Sequence, residues 1–405
     1  MQKLKALSAP VKQYLLITGN YWAFTLTDGA LRMLVVLYFY QLGYSPFAIA
    51  TLFLFYEIFG VVTNLVGGWL GARFGLNRTM NIGLTIQIFA LGMLLVPTAW
   101  LTVAWVMIAQ ALSGIAKDLN KMSAKSSIKL LVKEKQGESK LYHWVALLTG
   151  SKNTMKGFGF FIGGGLLTTI GFKYAVLSMI IFLLVILIFS LIKLEKILGR
   201  IKSKPKIKHL LSKNTAINYL SAARLFLFGA RDIWFVVALP VYFASQLLWQ
   251  HWQVGTFMAC WVIGYGIIQS QSPKITGKNP QGKSALWWVI GLALCTSLIA
   301  FLFTQLNDWL EWLLVIGLIV FGAIFAINSS VHSYLIINYS TKESVSMDVG
   351  FYYMANAMGR LIGTILSGWL YQAYGLTACL WASGFFLFLS ALFSIGLPGN
   401  KATQL

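Results

Sequence analysis

The sequence predicts an all-α membrane protein whose twelve transmembrane helices form two pseudo-symmetric six-helix bundles. Three observations carry that reading. Of the 405 residues, 58% are hydrophobic and only 11% charged, against about a quarter charged in soluble domains. Long apolar segments recur along the whole chain, each close to the roughly 20 residues a helix needs to cross a bilayer. Basic residues also alternate by loop. The N-terminus, the even-numbered loops with their helix ends and the C-terminal tail hold 22 of the 32 Lys and Arg, whereas the odd-numbered loops hold Lys173 alone. Apolar runs of this length exclude a barrel, whose strands alternate.

The predicted helices cover residues 14–40, 46–71, 79–97, 101–127, 141–168, 172–194, 214–245, 252–272, 284–304, 312–340, 345–372 and 376–396. The opening MQKLKALSAPVKQ is short, basic and polar with no small-residue cleavage site, so it reads as a lead-in to the first helix rather than a removed signal. Positive loops stay in the cytoplasm, which places both termini there in a multi-pass topology. The stretch EKILGRIKSKPKIKHLLSKN divides the chain near its middle. It gives an N-terminal bundle over 1–194, a basic cytoplasmic linker over 195–213 and a C-terminal bundle over 214–405. The linker suits lipid headgroups, and the bilayer is one expected partner.

Internal repeats support the division. Predicted helices two, five and eleven end alike, in Gly68-Trp-Leu with Gly75-Leu76, Gly164-Gly-Leu with Gly171-Phe172, and Gly368-Trp-Leu with Gly375-Leu376. Asp28 stands ten residues before Tyr38-Phe39, and Asp232 ten before Tyr242-Phe243, which aligns helices one and seven. Four three-helix units are the way alternating-access transporters are built, so a passive channel is disfavoured.

Composition excludes other classes. A net charge of +21 in a soluble chain would point to nucleic acid, but here it lies in membrane-flanking loops, and no nucleic acid is expected. Cys260, Cys295 and Cys379 lie singly in apolar runs and read as inert core residues; with four scattered histidines they make no disulfide framework and no metal site. Nothing resembles a nucleotide-binding loop, so the chain does not drive itself with ATP. The loops are too short for a catalytic constellation or a sensor domain. The expectation is a monomer without cofactor, and not an enzyme.

The loop after helix two reads Gly68-Trp69-Leu70-Gly71-Ala72-Arg73-Phe74-Gly75-Leu76-Asn77-Arg78. It resembles the signature loop of the major facilitator superfamily, which implies the major facilitator fold. Gly68, Arg73, Gly75 and Arg78 fit that pattern, while Ala72 replaces its acid and puts the family's charge-relay latch in doubt. Glycines permit a tight turn there, and Arg73 can bond helix C-terminal carbonyls or acids. Gly159-Phe-Phe-Ile-Gly163-Gly164 resembles the exporter motif Gly-Pro-x-x-Gly-Gly with Phe160 in place of proline, and is mainly a close-packing signal. The stretches NYWAFTLTDGALRMLVVL, FYEIFGVVTNLVGGWLGARFGLNRTMNIG, ALSGIAKDLNKMSAKSSIKLL, LLTGSKN and FGARDIWFVVALPV resemble the organoarsenical efflux permeases of bacterial arsenate-resistance operons. That resemblance implies export of 1-arseno-3-phosphoglycerate and a functional link to glyceraldehyde-3-phosphate dehydrogenase, which makes it when arsenate replaces phosphate.

Charge within the helices points the same way. Each costs about 2.5–3.5 kcal/mol to insert, so each needs a role. Leaving aside Lys173 and Lys193 at the two ends of predicted helix six, nine basic residues lie inside predicted helices: Arg32, Lys117, Lys121, Lys125, Lys152, Lys156, Arg224, Arg231 and Arg360. Asp28, Glu57, Asp118, Asp232 and Asp348 offset them only in part. The excess favours an anionic small-molecule substrate, and a multiply charged one. Arg32 and Arg231 are the first candidates, because a guanidinium grips phosphate or arsenate bidentately. Ion pairs with Asp28 and Asp232 are the competing role. Lys117, Lys121 and Lys125 share one face of helix four, and Lys152 and Lys156 one face of helix five. Lys125 is expected at the cytoplasmic interface, Arg224 as a topogenic or lipid contact, and Arg360 as a secondary substrate contact. Asp28, Glu57, Asp232 and His332 are the candidates for proton coupling. The alternative function is transport of another organophosphate or organic anion; export of cationic drugs conflicts with the basic excess.

Overall fold

The computed structural model describes residues 9–44, 52–131, 137–194, 198, 214–249, 251–305 and 309–399. Apart from Leu198, the predicted basic linker at 195–213 lies outside the described residues, as do the start of predicted helix two and the two chain ends. All regular structure among the described residues is helical. The α-helices are α1 (Ala9–Gln41), α2 (Leu54–Phe74), α3 (Leu76–Met93), α4 (Val103–Leu131), α5 (Gly137–Lys193), α6 (Thr215–Phe235), α7 (Ala238–Ser245), α8 (His251–Thr276), α9 (Gly282–Gln305), α10 (Leu310–Tyr339) and α11 (Val345–Ile395).

Two of these are pairs in disguise. α5 carries a non-helical Gly171 (φ 76°) and α11 a non-helical Gly375 (φ 75°), each the junction of two rods. α6 and α7 are one interrupted rod. Pro240 has no N–H for the carbonyl of Val236 and its ring crowds that carbonyl, so the helix breaks at Val236–Val237. Counted this way, the described residues form twelve helical segments in the predicted order. Among the described residues, seven spans are long and apolar enough to cross a membrane, including Leu54–Phe74, Gly282–Gln305 and Leu310–Tyr339. Their outward faces carry exposed apolar groups such as Ile192, Trp287, Leu294 and Phe385, as lipid contact requires.

Glycine sets the junctions. Gly75, Gly171 and Gly375 all have positive φ, as does Gly277 after α8. The sequence pattern identifies the first three. The fourth lacks the preceding Gly-Trp-Leu, but its backbone takes the same left-handed step. α3 begins directly after Gly75, so the predicted loop of several residues shrinks to one.

Contacts divide the chain into two compact units. The first comprises Met1–Gly137, Ser151–Leu211 and Ser340–Met354; the second comprises Glu138–Gly150, Ser212–Tyr339 and Ala355–Leu405. The opening of α5 thus belongs to the second unit and the opening of α11 to the first. In the first unit a core of Phe24, Leu34, Leu84, Leu91, Val106 and Val176 holds α1, α3, α4 and α5. In the second, Trp234, Phe243, Phe321 and Phe325 pack from α6, α7 and α10.

Small residues fix the tightest crossings. A Cβ on Gly159 or Gly163 of α5 would run into the α1 carbonyls of Leu26 and Ala30, and one on Gly29 would lie 2.6 Å from the Lys156 carbonyl. The packing role expected for this glycine motif is what the first unit displays. The second unit repeats the arrangement: Gly359 and Gly363 of α11 press on the α6 carbonyls of Leu225 and Gly229. Gly159 and Gly363 stand equally far before the junction glycines Gly171 and Gly375, and their contacts match Leu26 with Gly229, which puts Asp28 within one residue of the position equivalent to Asp232. Among the cysteines, Cys379 is buried, whereas Cys260 is exposed rather than in the core.

Candidate substrate site

Each unit gathers its own charged cluster. In the first, Tyr56 of α2 is the hub. It is buried, its hydroxyl donates to Asp28 Oδ1 at 2.7 Å, and its ring takes the Lys117 ammonium at 3.7 Å and the Arg32 guanidinium at 4.8 Å. Cations over a desolvated aromatic face gain about 2 kcal/mol. Arg32 pairs with Glu57 at 3.5 Å, and its guanidinium also lies over Phe53. The partner is thus Glu57 from α2, not Asp28 on its own helix.

Asp118 of α4 binds Lys121 at 2.5 Å and Lys117 at 3.9 Å. Lys121 and Lys125 both reach over the Tyr353 ring, at 4.8 and 5.1 Å. Lys125 is only 4% exposed, which overturns the expectation of an interfacial, snorkelling lysine. The structure therefore brings Arg32, Lys117, Lys121, Asp28 and Glu57 together. Lys152 and Lys156 lie on α5 with other partners: Lys152 bonds Asn153 Oδ1 at 3.1 Å, and Lys156 approaches the Phe160 ring at 5.9 Å. Both are half-buried.

In the second unit Asp232, fully buried, is shared by two arginines. Arg231 reaches its Oδ1 at 2.5 Å, and Arg360 of α11 reaches Oδ2 at 3.1 Å. Arg231 is further held over the rings of Phe228 and Phe325. Arg224 departs most from expectation. It is 3% exposed and turned inward, donating to Asn356 Oδ1 at 2.9 Å and to the Ser329 carbonyl and hydroxyl at 3.2 and 3.1 Å. It is therefore buried against polar groups of its own unit rather than turned to lipid. His332 of α10 is fully buried in the same unit.

The signature loop is built as a turn. Gly75 (φ 97°) donates its N–H to the Gly71 carbonyl. Arg73 lies over Trp69 and Phe74 instead of bonding the helix end, while Arg78 is exposed. Gly68 is close-packed: Ser346 in the first turn of α11 donates to its carbonyl at 2.6 Å, and a Cβ there would lie 2.6 Å from the Ser346 carbonyl. Ala72 is fully buried. Ala72→Asp sets a carboxylate in that packed turn, near the α11 N-terminus whose dipole attracts it. Turnover at saturating substrate is expected to fall, with reduced labelling of single cysteines placed at the C-terminal end of α4 and the N-terminal end of α5, the ends expected in the cytoplasm. Unchanged transport and labelling would leave the loop a topogenic turn.

Glycine-crossed helical bundles with basic clusters buried inside them define a polytopic membrane transporter. The chain belongs to the Major Facilitator Superfamily, whose family model matches residues 17–333. Solved structures share the fold across nearly the whole chain. The human organic anion transporter MFSD10 (TETRAN) is 14% identical with a TM-score of 0.76, covering 96% of this chain and 100% of its own. A bacterial homologue of the iron transporter ferroportin is 14% identical at 0.76, covering 94% and 98%. The proton:xylose symporter XylE is 16% identical at 0.71, covering 95% of each chain. No curated protein matches the sequence significantly.

Proposed function

We propose that this transporter carries out secondary active efflux of a phosphorylated organoarsenical anion, 1-arseno-3-phosphoglycerate, and so confers arsenate resistance by alternating access. The observation that carries the reading is cationic excess in each unit. Arg32, Lys117, Lys121, Lys125, Lys152 and Lys156 stand against Asp28, Glu57, Asp118 and Asp348, and Arg224, Arg231 and Arg360 against Asp232. Cations kept inside the bilayer beyond their carboxylate partners favour a multiply charged anion as cargo. The family resemblance of the sequence supplies the identity of that anion. Arg32, Arg231 and Arg360, with Lys117, Lys121, Lys152 and Lys156, are the groups assigned to it. Glu57, which pairs with Arg32, is assigned the exchange of that guanidinium for a proton, with Asp28 and Asp232 as further carriers. The protein sits in a bacterial inner membrane with both termini cytoplasmic, and works alongside a glyceraldehyde-3-phosphate dehydrogenase.

Everted vesicles given arsenate, the dehydrogenase, glyceraldehyde 3-phosphate and its nicotinamide cofactor are expected to accumulate arsenic only when all four are present. Uptake from arsenate alone, unchanged by the enzyme, would sink the reading. Equal uptake of 3-phosphoglycerate would favour a general organophosphate carrier. A dehydrogenase gene beside this one would agree with the link.

A further inference from the structure

Asn328 and His332 stand one turn apart on α10 and are both fully buried. None of their four side-chain nitrogen and oxygen atoms has a hydrogen-bond partner among the described residues. A buried polar group left unsatisfied costs about 1–3 kcal/mol, so two on one helical turn mark a place kept for a ligand rather than for packing.

The surroundings are built. Ser329, between the two, holds Arg224 through its carbonyl and hydroxyl, and the Arg224 guanidinium lies 3.9 Å over the Phe228 ring. Asn356 fixes Arg224 Nε, and Gln269 of α8 donates to Ser329 Oγ at 3.2 Å. Gln269 is itself positioned by a helix defect. Pro273, four residues on, cannot donate to the Gln269 carbonyl, and Ser330 donates there instead at 3.4 Å. Arg224 is thus bonded to the α10 turn that carries Asn328 and His332, and the guanidinium, the amide and the imidazole belong to one interior region of the second unit.

We infer that Arg224, Asn328 and His332 form a subsite for a hydroxyl-bearing organic anion, distinct in its residues from the Arg231–Asp232–Arg360 triad. The atom types set the ligand class. Asn328 Nδ2 and one imidazole nitrogen donate, and with Arg224 they suit anionic oxygens. Asn328 Oδ1 and the other imidazole nitrogen accept, and a bare anion without a hydrogen leaves them unmet. A hydroxyl beside the charged group supplies the hydrogen that one of these acceptors needs, which a bare anion cannot. His332, an expected proton carrier, is here a ligand for the cargo. The inference rests on the anion-transport reading and adds to it the hydroxyl requirement.

The test uses the full-length protein in lipid nanodiscs, with binding followed by calorimetry and melting temperature measured in parallel. The probes are 3-phosphoglycerate, its analogue 3-phosphooxypropanoate without the 2-hydroxyl, glycerate and gluconate. A site built to bond a hydroxyl rejects the analogue lacking it, so the wild-type protein is expected to bind the deoxy compound at least tenfold more weakly. Asn328→Leu and His332→Leu, similar in volume, remove the unmet polar atoms. They are expected to melt at or above the wild-type temperature, to bind 3-phosphoglycerate at least tenfold more weakly, and to lose the hydroxyl preference. Arg224→Lys is expected to weaken both phosphorylated compounds alike. Raised stability with unchanged affinity makes the two side chains packing residues and overturns the subsite. A fall in melting temperature shows that they support the fold and overturns it too, as does a wild-type protein that binds none of the four probes. Binding of glycerate or gluconate alone, lost in the variants, upholds the subsite and instead removes the phosphorylated-cargo reading.

Discussion

Arg32→Lys is expected to lower transport by about 10- to 100-fold, the loss of one charge-assisted, bidentate contact worth roughly 1.5–3 kcal/mol. The side chain is held for such a contact. Glu57 at 3.5 Å and the rings of Tyr56 and Phe53 pin the guanidinium, yet 28% of the side chain stays exposed. A lysine keeps the charge and pairs with Glu57 well enough, so a purely structural role predicts a mild effect. The decisive comparison is with the double variant Arg32→Gln, Glu57→Gln. It leaves neither partner of the pair charged, and if the pair only stabilises, transport should return. If Arg32 holds cargo, the double variant should reach wild-type levels in the membrane and stay inactive. Because Glu57 is also a coupling candidate, activity is read as counterflow of labelled substrate, which needs no proton gradient. Full counterflow in the double variant would take Arg32 out of the site.

The change of partner for Arg32 shows where sequence reasoning stops. Spacing along one helix reveals Asp28 at i−4, the residue that an isolated helix would use. It cannot reveal that the Tyr56 hydroxyl binds Asp28 at 2.7 Å, or that Glu57 arrives from α2. Those contacts depend on the register of one helix against another. Tyr56 and Tyr353 were legible only as members of apolar runs, although each is the aromatic platform for two cations. Lys125 misleads for a related reason. Its position near the end of α4 suggests the interface, but Tyr353 from the opening of α11 packs over it.

The helices were easier, because insertion into lipid imposes length and apolarity on each segment separately. The glycine junctions at Gly75, Gly171 and Gly375 carried a repeated signature, and Gly277 escaped because its flanking residues differ. The break before α7 was written in Pro240, whose effect falls four residues upstream. Arg224 was judged by depth alone. Only the fold shows the Asn356 and Ser329 acceptors that draw it inward.

The Arg231–Asp232–Arg360 triad yields the other large effect. Asp232 is fully buried and is the shared carboxylate of two guanidiniums, at 2.5 and 3.1 Å. Asp232→Asn keeps the shape and removes the charge, leaving both arginines to be solvated by neutral groups. Breaking a buried pair in this way costs about 3–5 kcal/mol, so the melting temperature and the folded yield should both drop sharply. Adding Arg360→Gln removes one of the two stranded cations and should recover most of that stability. The triad's surplus positive charge also predicts a chemical rescue. An anion that settles between the guanidiniums takes the place of the lost carboxylate, so saturating 3-phosphoglycerate should raise the melting temperature of Asp232→Asn by more than it raises that of the wild type. Neutral glycerol at the same concentration should have no such effect. Equal shifts in the two proteins would mean that Arg231 and Arg360 serve Asp232 alone, and the cargo-binding role assigned to them would fall.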